Sequence, residues 1–288
     1  MKTFMHVGLP KAACTYLQRV VFPEMAPLYV SVSETQRRWP WMWNLNPFRP
    51  GIPKPDIDGH SMTGLSPRET LHLSKPESLG SIDSMARDSQ IVSLEGLCGS
   101  SWNPTSNSLK NAKVIWDVFG DVQLLLVLRR QDQWFRSIWR QLVIHENRFG
   151  TYLTPDEFRQ ASGLRTSLIE LDWQELILTW SEFMGLERIT VLPFELLTER
   201  PSEFLSEIEA WVGVQLPDQL GTEAVDPQGF DRSWGLRGRI RYARNWPRRQ
   251  AWRARAQGER FPEYSSELKA SNRALSSLVG RDFQEFGY

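Results

Sequence analysis

Continuous apolar runs of strand length recur along the chain, and segments of helical periodicity lie between them. Four such runs, at residues 3–7, 90–94, 122–128 and 189–192, predict buried strands. Apolar runs without polar alternation are typical of a parallel sheet that is covered on both faces. Because strands and helices alternate, the pattern predicts a three-layer α/β/α domain with a central, mostly parallel sheet.

Apolar residues spaced three and four apart predict the helices between these strands. One helix is expected to begin near Ala13, directly after the first strand and a glycine-bearing loop. Another follows the third strand, with Asp132 as its N-cap. Further helices are expected at about 173–184, 202–212 and 265–278.

Residues 31–80 interrupt this order, because they are rich in Pro and Gly and show no clean periodicity. A long irregular excursion of this kind is usually functional or mobile. Trp39, Trp41 and Trp43 within it could form a platform for a sugar or an apolar acceptor, and packing or a partner contact explains them equally well. No internal repeat or linker is evident, so we expect one domain over residues 1–288.

The overall charge is balanced, with 34 basic and 34 acidic residues in 288. That balance argues against a surface devoted to nucleic acid. The two cysteines have no metal or disulfide spacing, which favours a reducing compartment. The N-terminal apolar run is too short for a signal peptide and no stretch is long enough to span a bilayer, so we expect a cytoplasmic protein.

One segment, residues 232–260, departs from that balance with ten arginines, one glutamate and a net charge of +9. It is interpreted as a lid that closes on a phosphate or an anionic acceptor. Alternatively, it is an amphipathic helix in peripheral contact with acidic lipid, or a solvated face.

The first candidate site is the loop at residues 8–16, between the first strand and its helix. Small residues at Ala12 and Ala13 let the backbone approach an anion, Lys11 adds a positive charge, and Thr15 adds a hydroxyl. The start of a helix offers free N–H groups and a positive dipole end. No hydroxyl follows Lys11 directly, so the Mg²⁺ ligand of nucleoside triphosphatases is missing. Taken alone, the loop is explained equally well as a plain turn with a surface lysine.

This loop resembles the 5′-phosphosulfate loop of PAPS-dependent sulfotransferases, which reads Pro-Lys-Ser/Thr-Gly-Thr-Thr-Trp-Leu. The corresponding residues here are Pro10, Lys11, Ala12, Ala13, Cys14, Thr15, Tyr16 and Leu17. Three positions depart from the pattern: Ala12, Ala13 and Cys14. In the family, the hydroxyl at the Cys14 position helps to hold the 5′-phosphate, and a thiol is a weaker donor. The resemblance implies a P-loop-like sulfotransferase fold, PAPS (3′-phosphoadenosine 5′-phosphosulfate) as co-substrate, and no metal.

Further residues are assigned by the same resemblance. In the family, an Arg at the end of a central strand and a Ser eight residues later hold the 3′-phosphate, and Arg129 and Ser137 have that spacing. An aromatic residue beside a Glu stacks on adenine, a place that Phe194 occupies, although a core role explains it nearly as well. Family members also place a basic loop over the 3′-phosphate, for which Arg237 and Arg239 are the candidates.

The implied reaction moves a sulfuryl group to a hydroxyl or amine of a small-molecule or glycan acceptor. Lys11 is expected to stabilise the charge on the leaving oxygen, and Glu95, at the end of the second strand, is the candidate base. A structural ion pair is the other interpretation of Glu95, and His6 is expected to be a packed core residue. Two other functions stay open: an impaired, sulfotransferase-like nucleotide-binding protein and, less well supported, a metal-dependent nucleotide kinase.

Overall fold

The computed structural model describes residues 2–26, 28–31, 35, 89–95, 97–98, 108–145, 149–161, 171–217, 220, 246–261 and 268–288. Five parallel strands form one sheet in the order β2-β3-β1-β4-β5. They are β1 (Lys2–Gly8), β2 (Tyr29–Val30), β3 (Ser89–Glu95), β4 (Val122–Leu128) and β5 (Ile189–Pro193).

Helices cover both faces of the sheet, as the apolar strands predict. A helical run at 14–24, called α1, is α-helical over Cys14–Tyr16, π-helical over Leu17–Val21 and α-helical over Phe22–Glu24. The other α-helices are α2 (Ser108–Phe119), α3 (Gln131–Trp139), α4 (Pro155–Ala161), α5 (Trp173–Met184), α6 (Phe194–Glu199), α7 (Pro201–Val212), α8 (Trp246–Ala256) and α9 (Lys269–Val279). A π-helical turn, Arg140–His145, extends α3, and Leu186–Arg188 and Gln284–Phe286 are short 3₁₀ helices.

The predicted three-layer architecture and the four long strands are confirmed. The start of α3 was predicted wrongly, because Arg130 and not Asp132 is its N-cap residue. Asp132 lies in the first turn, where the helix dipole favours a carboxylate, and it pairs with the Arg130 guanidinium at 2.8 and 3.0 Å. Its side chain therefore does not cap the helix.

The strand order decides where a ligand can bind. From β1 the chain moves to one side of the sheet to form β2 and β3, and then crosses to the other side of β1 to form β4 and β5. In open parallel sheets, ligands bind beyond the carboxyl ends of the strands at the point where this direction reverses. Here that point lies between β1 and β4, and the segments that follow these strands carry Lys11 and Arg129.

Candidate active site

The loop after β1 has two residues in a backbone conformation that side chains disfavour. Lys11 has φ of 67° and Ala13 has φ of 64°, both in the left-handed region. For a residue other than glycine this conformation costs roughly 1–2 kcal/mol. The family pattern has Gly at the position of Ala13, so the conformation that suits glycine is present here without the glycine. Strain of this kind persists where surrounding contacts fix the backbone.

Those contacts are made to three consecutive carbonyl oxygens of the loop. The Leu9 oxygen accepts from the Ala12 N–H at 3.1 Å. The Pro10 oxygen accepts from the Trp134 indole at 2.8 Å. The Lys11 oxygen accepts from Arg129 Nη1 at 3.1 Å. The loop is thereby fixed to α3 and to the end of β4, while the Lys11 side chain remains exposed.

The helix that follows this loop begins without a side-chain cap, because Ala13 stands at its N-cap position. The N–H groups of a first helical turn have no partner within the helix. The side chains around this turn are small, since they belong to Ala12, Ala13 and Thr15. Ala12 is buried, and the other two are half-buried. This is the arrangement that backbone binding of a phosphate or sulfate requires.

Cys14 faces away from that helix start. Its buried thiol donates to the Leu9 oxygen at 3.1 Å. The sulfur also occupies the space beside Gly8, where a Cβ would come within 2.1 Å of it. Burial raises the pKa of the thiol, and the charge of Glu95 raises it further. Cys14 is therefore a neutral packing residue that fixes the loop, and its position requires glycine at residue 8.

Arg129 follows β4 directly and is half-buried. Its guanidinium carbon lies 4.5 Å from the centre of the Phe194 ring. Its Nε is buried and has no hydrogen-bond partner among the described residues. Burial lowers the pKa of the guanidinium, and the opposite charge of Glu195 counteracts this effect. An arginine held in this way keeps donors for an anion that enters the crevice.

The structure brings together three segments that the sequence analysis assigned to one site. Arg129 contacts the Lys11 carbonyl on one side and the Phe194 ring on the other. Lys11 lies 118 positions before Arg129 in the chain, and Phe194 lies 65 positions after it. Phe194 is half-buried with Arg129 on one face of its ring, so its predicted stacking on adenine requires the other face.

Glu95 ends β3 and lies directly opposite Gly8 in the register of β1 and β3. It is half-buried and close enough for its charge to raise the pKa of Cys14. Glu95 and the Lys11 loop thus occupy the same carboxyl edge of the sheet. The predicted base stands beside the predicted anion site, which is the position that its proposed role needs.

His6 lies two residues before Gly8 and is fully buried, in keeping with the expectation of a core residue. Its Nδ1 lies 2.8 Å from Ser93 Oγ, which also accepts from Gln18 Nε2 at 3.1 Å. Burial lowers the pKa of His6 to about 3, so the ring stays neutral. The three side chains join β1, β3 and α1 beneath the loop.

The remaining predicted residues are a serine on α3, two arginines and three tryptophans. Ser137 is half-buried on α3, within the same strand-to-helix unit as Arg129. Arg237 and Arg239 lie outside the described residues, as do Trp39, Trp41 and Trp43 of the 31–80 excursion.

The described part of the Arg-rich segment is helical over Trp246–Ala256, and two of its arginines contact aromatic rings of the same chain. In α8, Arg248 lies over Trp252 at 4.5 Å, and Arg255 lies over Tyr152 at 4.3 Å. Tyr152 in turn donates to Glu259 at 2.8 Å. These contacts attach α8 to the segment that follows the π-helical end of α3.

Sequence reasoning did not place Trp134, Trp173, Glu195 or Tyr288 at the site, and it expected Tyr288 only to pack back onto the core. Trp173 donates its indole N–H to the Arg129 carbonyl at 2.9 Å. Glu195 accepts from the Arg130 backbone N–H at 3.2 Å and from the Tyr288 hydroxyl at 2.9 Å. Only Glu195 carried a usable signal, since it directly follows Phe194 at the end of a buried strand.

Comparison with solved structures finds a crystal structure of a sulfotransferase from Alicyclobacillus acidocaldarius. The two chains share 15% sequence identity with a TM-score of 0.49, over 100% of this chain and 99% of the other. No protein-family profile matches the chain, and no curated protein sequence matches it. We therefore base the function on the residues of the site.

The described residues form no helix that is long and apolar enough to cross a membrane. They also contain no group of three or more His, Cys, Asp and Glu residues placed to hold a metal ion.

Proposed function

We propose that this protein is a sulfotransferase that moves a sulfuryl group from PAPS to a hydroxyl or amine of a small-molecule or glycan acceptor. The observation that carries the proposal is the contact of Arg129 with both the Lys11 loop and Phe194. These are the segments that resemble the 5′-phosphosulfate, 3′-phosphate and adenine sites of the family. Their meeting at the reversal point of the sheet supports one nucleotide site with two anion-binding ends.

The residues present fit a ligand with two separate anionic groups. At one end, an uncapped helix start with small side chains at Ala12 and Ala13 suits the 5′-phosphosulfate. At the other end, Arg129 has a planar set of donors whose Nε has no partner among the described residues. Cys14 fits less well, since its thiol donates to the loop backbone and not toward a ligand.

PAPS supplies an activated sulfuryl group on its 5′-phosphate. Lys11 is exposed beside the helix start, where it stabilises the negative charge that develops on the leaving oxygen. Glu95, at the same edge of the sheet, accepts the proton of the acceptor. Arg129 and Ser137 would hold the 3′-phosphate and so help to orient the donor for transfer.

One specific observation favours a second candidate function. The inward thiol of Cys14 and the strained Ala13 stand where the family has a hydroxyl and a glycine. A sulfotransferase-like protein that binds the nucleotide without transferring the sulfuryl group would tolerate both changes.

The test has two stages. Calorimetry first measures binding of 3′-phosphoadenosine 5′-phosphate, the product nucleotide, against adenosine 5′-phosphate. Preferential binding of the 3′-phosphorylated nucleotide is expected, and no binding at high micromolar concentration would rule out both candidates. An assay with ³⁵S-labelled PAPS over a panel of hydroxyl and amine acceptors then separates them, because only the enzyme labels an acceptor.

A further inference from the structure

A half-buried carboxylate joins three distant segments next to Arg129. Glu195, in the first turn of α6, accepts the Arg130 backbone N–H on Oε1 and the Tyr288 hydroxyl on Oε2. Each carboxylate oxygen therefore has a donor. Partial burial raises the pKa of this carboxyl, and its hydrogen bonds and the charge of Arg129 oppose that rise.

The segment 268–288 packs closely against the turn that follows Arg129. Tyr288 is buried, with its ring edge-on to Phe283 at 5.0 Å. Gly287, at φ of 80°, lies so close to Arg130 that a Cβ would come within 2.7 Å of Nη1. The positive φ favours glycine at this position, and an added Cβ would have to displace the end of the Arg130 side chain.

A second contact reaches the next residue of the same turn. Asn272 in α9 is buried and accepts from Gln131 Nε2 at 2.8 Å. Gln131 is fully buried and also donates to the Leu171 oxygen at 3.3 Å. The segment 268–288 thus holds Arg130 through Glu195 and Gln131 through Asn272.

These contacts fix the peptide group that joins Arg129 to Arg130 from both of its ends. The carbonyl of Arg129 accepts from the Trp173 indole, and the next N–H is bound by Glu195. The ring on which the guanidinium rests belongs to Phe194, the residue directly before Glu195. A shift of Glu195 would therefore displace the backbone of Arg129 and the surface that supports its side chain.

We propose that Glu195 and Tyr288 are positioning residues of the 3′-phosphate site, which hold Arg129 in the orientation that distinguishes a 3′-phosphorylated nucleotide from one without that group. This inference rests on the proposed nucleotide-binding function. Neither residue touches the nucleotide. Their effect passes through the Arg129–Arg130 peptide and the Phe194 ring, so it alters discrimination between nucleotides more than general affinity.

The test replaces Tyr288 with Phe, which keeps the ring packed on Phe283 and removes only the hydroxyl. Tyr152→Phe is the matched control, because it removes a phenol-to-glutamate hydrogen bond of 2.8 Å away from this turn. Calorimetry gives the affinities of each protein for 3′-phosphoadenosine 5′-phosphate and for adenosine 5′-phosphate. Loss of one hydrogen bond predicts a fall of about threefold to tenfold in their ratio for Tyr288→Phe. The ratio for Tyr152→Phe is expected to stay at the wild-type value.

The outcomes are distinguishable. If the wild type binds neither nucleotide or does not discriminate between them, the proposed function fails and this inference fails with it. If the wild type discriminates and Tyr288→Phe keeps the same ratio, the positioning role alone is refuted, whatever the variant's melting temperature. Should Tyr288→Phe fail to fold, Glu195→Gln provides the same measurement, since it keeps the side-chain shape and removes the charge.

Discussion

Replacement of Arg129 by alanine tests the centre of the proposed site. The change removes the donor to the Lys11 carbonyl, the cation over the Phe194 ring and the buried Nε that has no partner among the described residues. If Nε and the remaining donors serve a 3′-phosphate, only a nucleotide that carries this group should lose affinity strongly. A nucleotide without it should bind the variant nearly as well as the wild type.

The magnitude follows from the type of bond that is lost. A hydrogen bond to a charged group contributes about 1.5–3 kcal/mol, which corresponds to a loss of about 10- to 150-fold in affinity. The free energy of unfolding should fall by less than the free energy of nucleotide binding does. The hydrogen bond to Lys11 and the contact with Phe194 each contribute about 1 kcal/mol, and the variant no longer bears the burial cost that lowers the pKa of Arg129.

The assay is calorimetric titration with 3′-phosphoadenosine 5′-phosphate and with adenosine 5′-phosphate, accompanied by thermal unfolding. Arg188→Ala is the matched control, because its guanidinium likewise makes a hydrogen bond, to Asp121 at 2.6 Å, and lies over an aromatic ring, that of Trp116 at 5.6 Å, before the start of β5. That variant should keep the wild-type ratio of affinities. Equal losses for both nucleotides in Arg129→Ala would refute a contact between Arg129 and the 3′-phosphate.

Three further substitutions test the loop and the base. Lys11→Ala should lower turnover by about 10²- to 10³-fold while weakening nucleotide binding less, since its charge acts mainly in the transition state; unchanged turnover with labelled PAPS would remove Lys11 from the mechanism. Glu95→Gln should lower turnover by about 10²- to 10⁴-fold with little change in nucleotide affinity, and retained activity would remove Glu95 from the mechanism. Ala13→Gly should raise the free energy of unfolding by up to about 1 kcal/mol, because relief of the left-handed strain outweighs the greater freedom of the unfolded chain. Denaturant unfolding measures this against Ala12→Gly, which has no positive φ to relieve and should destabilise the protein by about 0.5–1 kcal/mol; equal effects at the two positions would contradict the argument.

The long strands could be predicted because each is a largely apolar run, and β1, β3 and β4 are buried along nearly their whole length. The edge strand β2 (Tyr29–Val30) could not, since two residues carry no periodicity. The helix α2 was also missed, because its buried face includes Ser108 and Asn111. These polar side chains donate to the Cys98 and Leu97 carbonyls, which satisfies them in the core but hides the apolar pattern.

The site was predictable to the extent that its residues directly follow strands. Lys11, Glu95 and Arg129 each come at or just after the carboxyl end of a strand, and a parallel sheet brings such ends to one edge. Their neighbours were not predictable, because the adjacency of β1 and β4 is a property of the strand order. The contact of Tyr288 with Glu195 spans 93 residues and has no local signature.

Two of the three departures of the loop from the family pattern, Ala13 and Cys14, are accommodated in different ways. Ala13 keeps the left-handed conformation that suits glycine, with φ of 64°. Cys14 fills the space beside Gly8 and donates to the loop backbone in place of facing the crevice. The shape of the loop is thus fixed by packing and by the bonds from Trp134 and Arg129 to its carbonyl oxygens. If the proposed function is correct, a loop fixed in this way should still bind the nucleotide. The missing hydroxyl at Cys14 bears on the 5′-phosphate alone, so its cost should appear in the affinity for the 5′-phosphate and in turnover, and leave discrimination at the 3′ end intact.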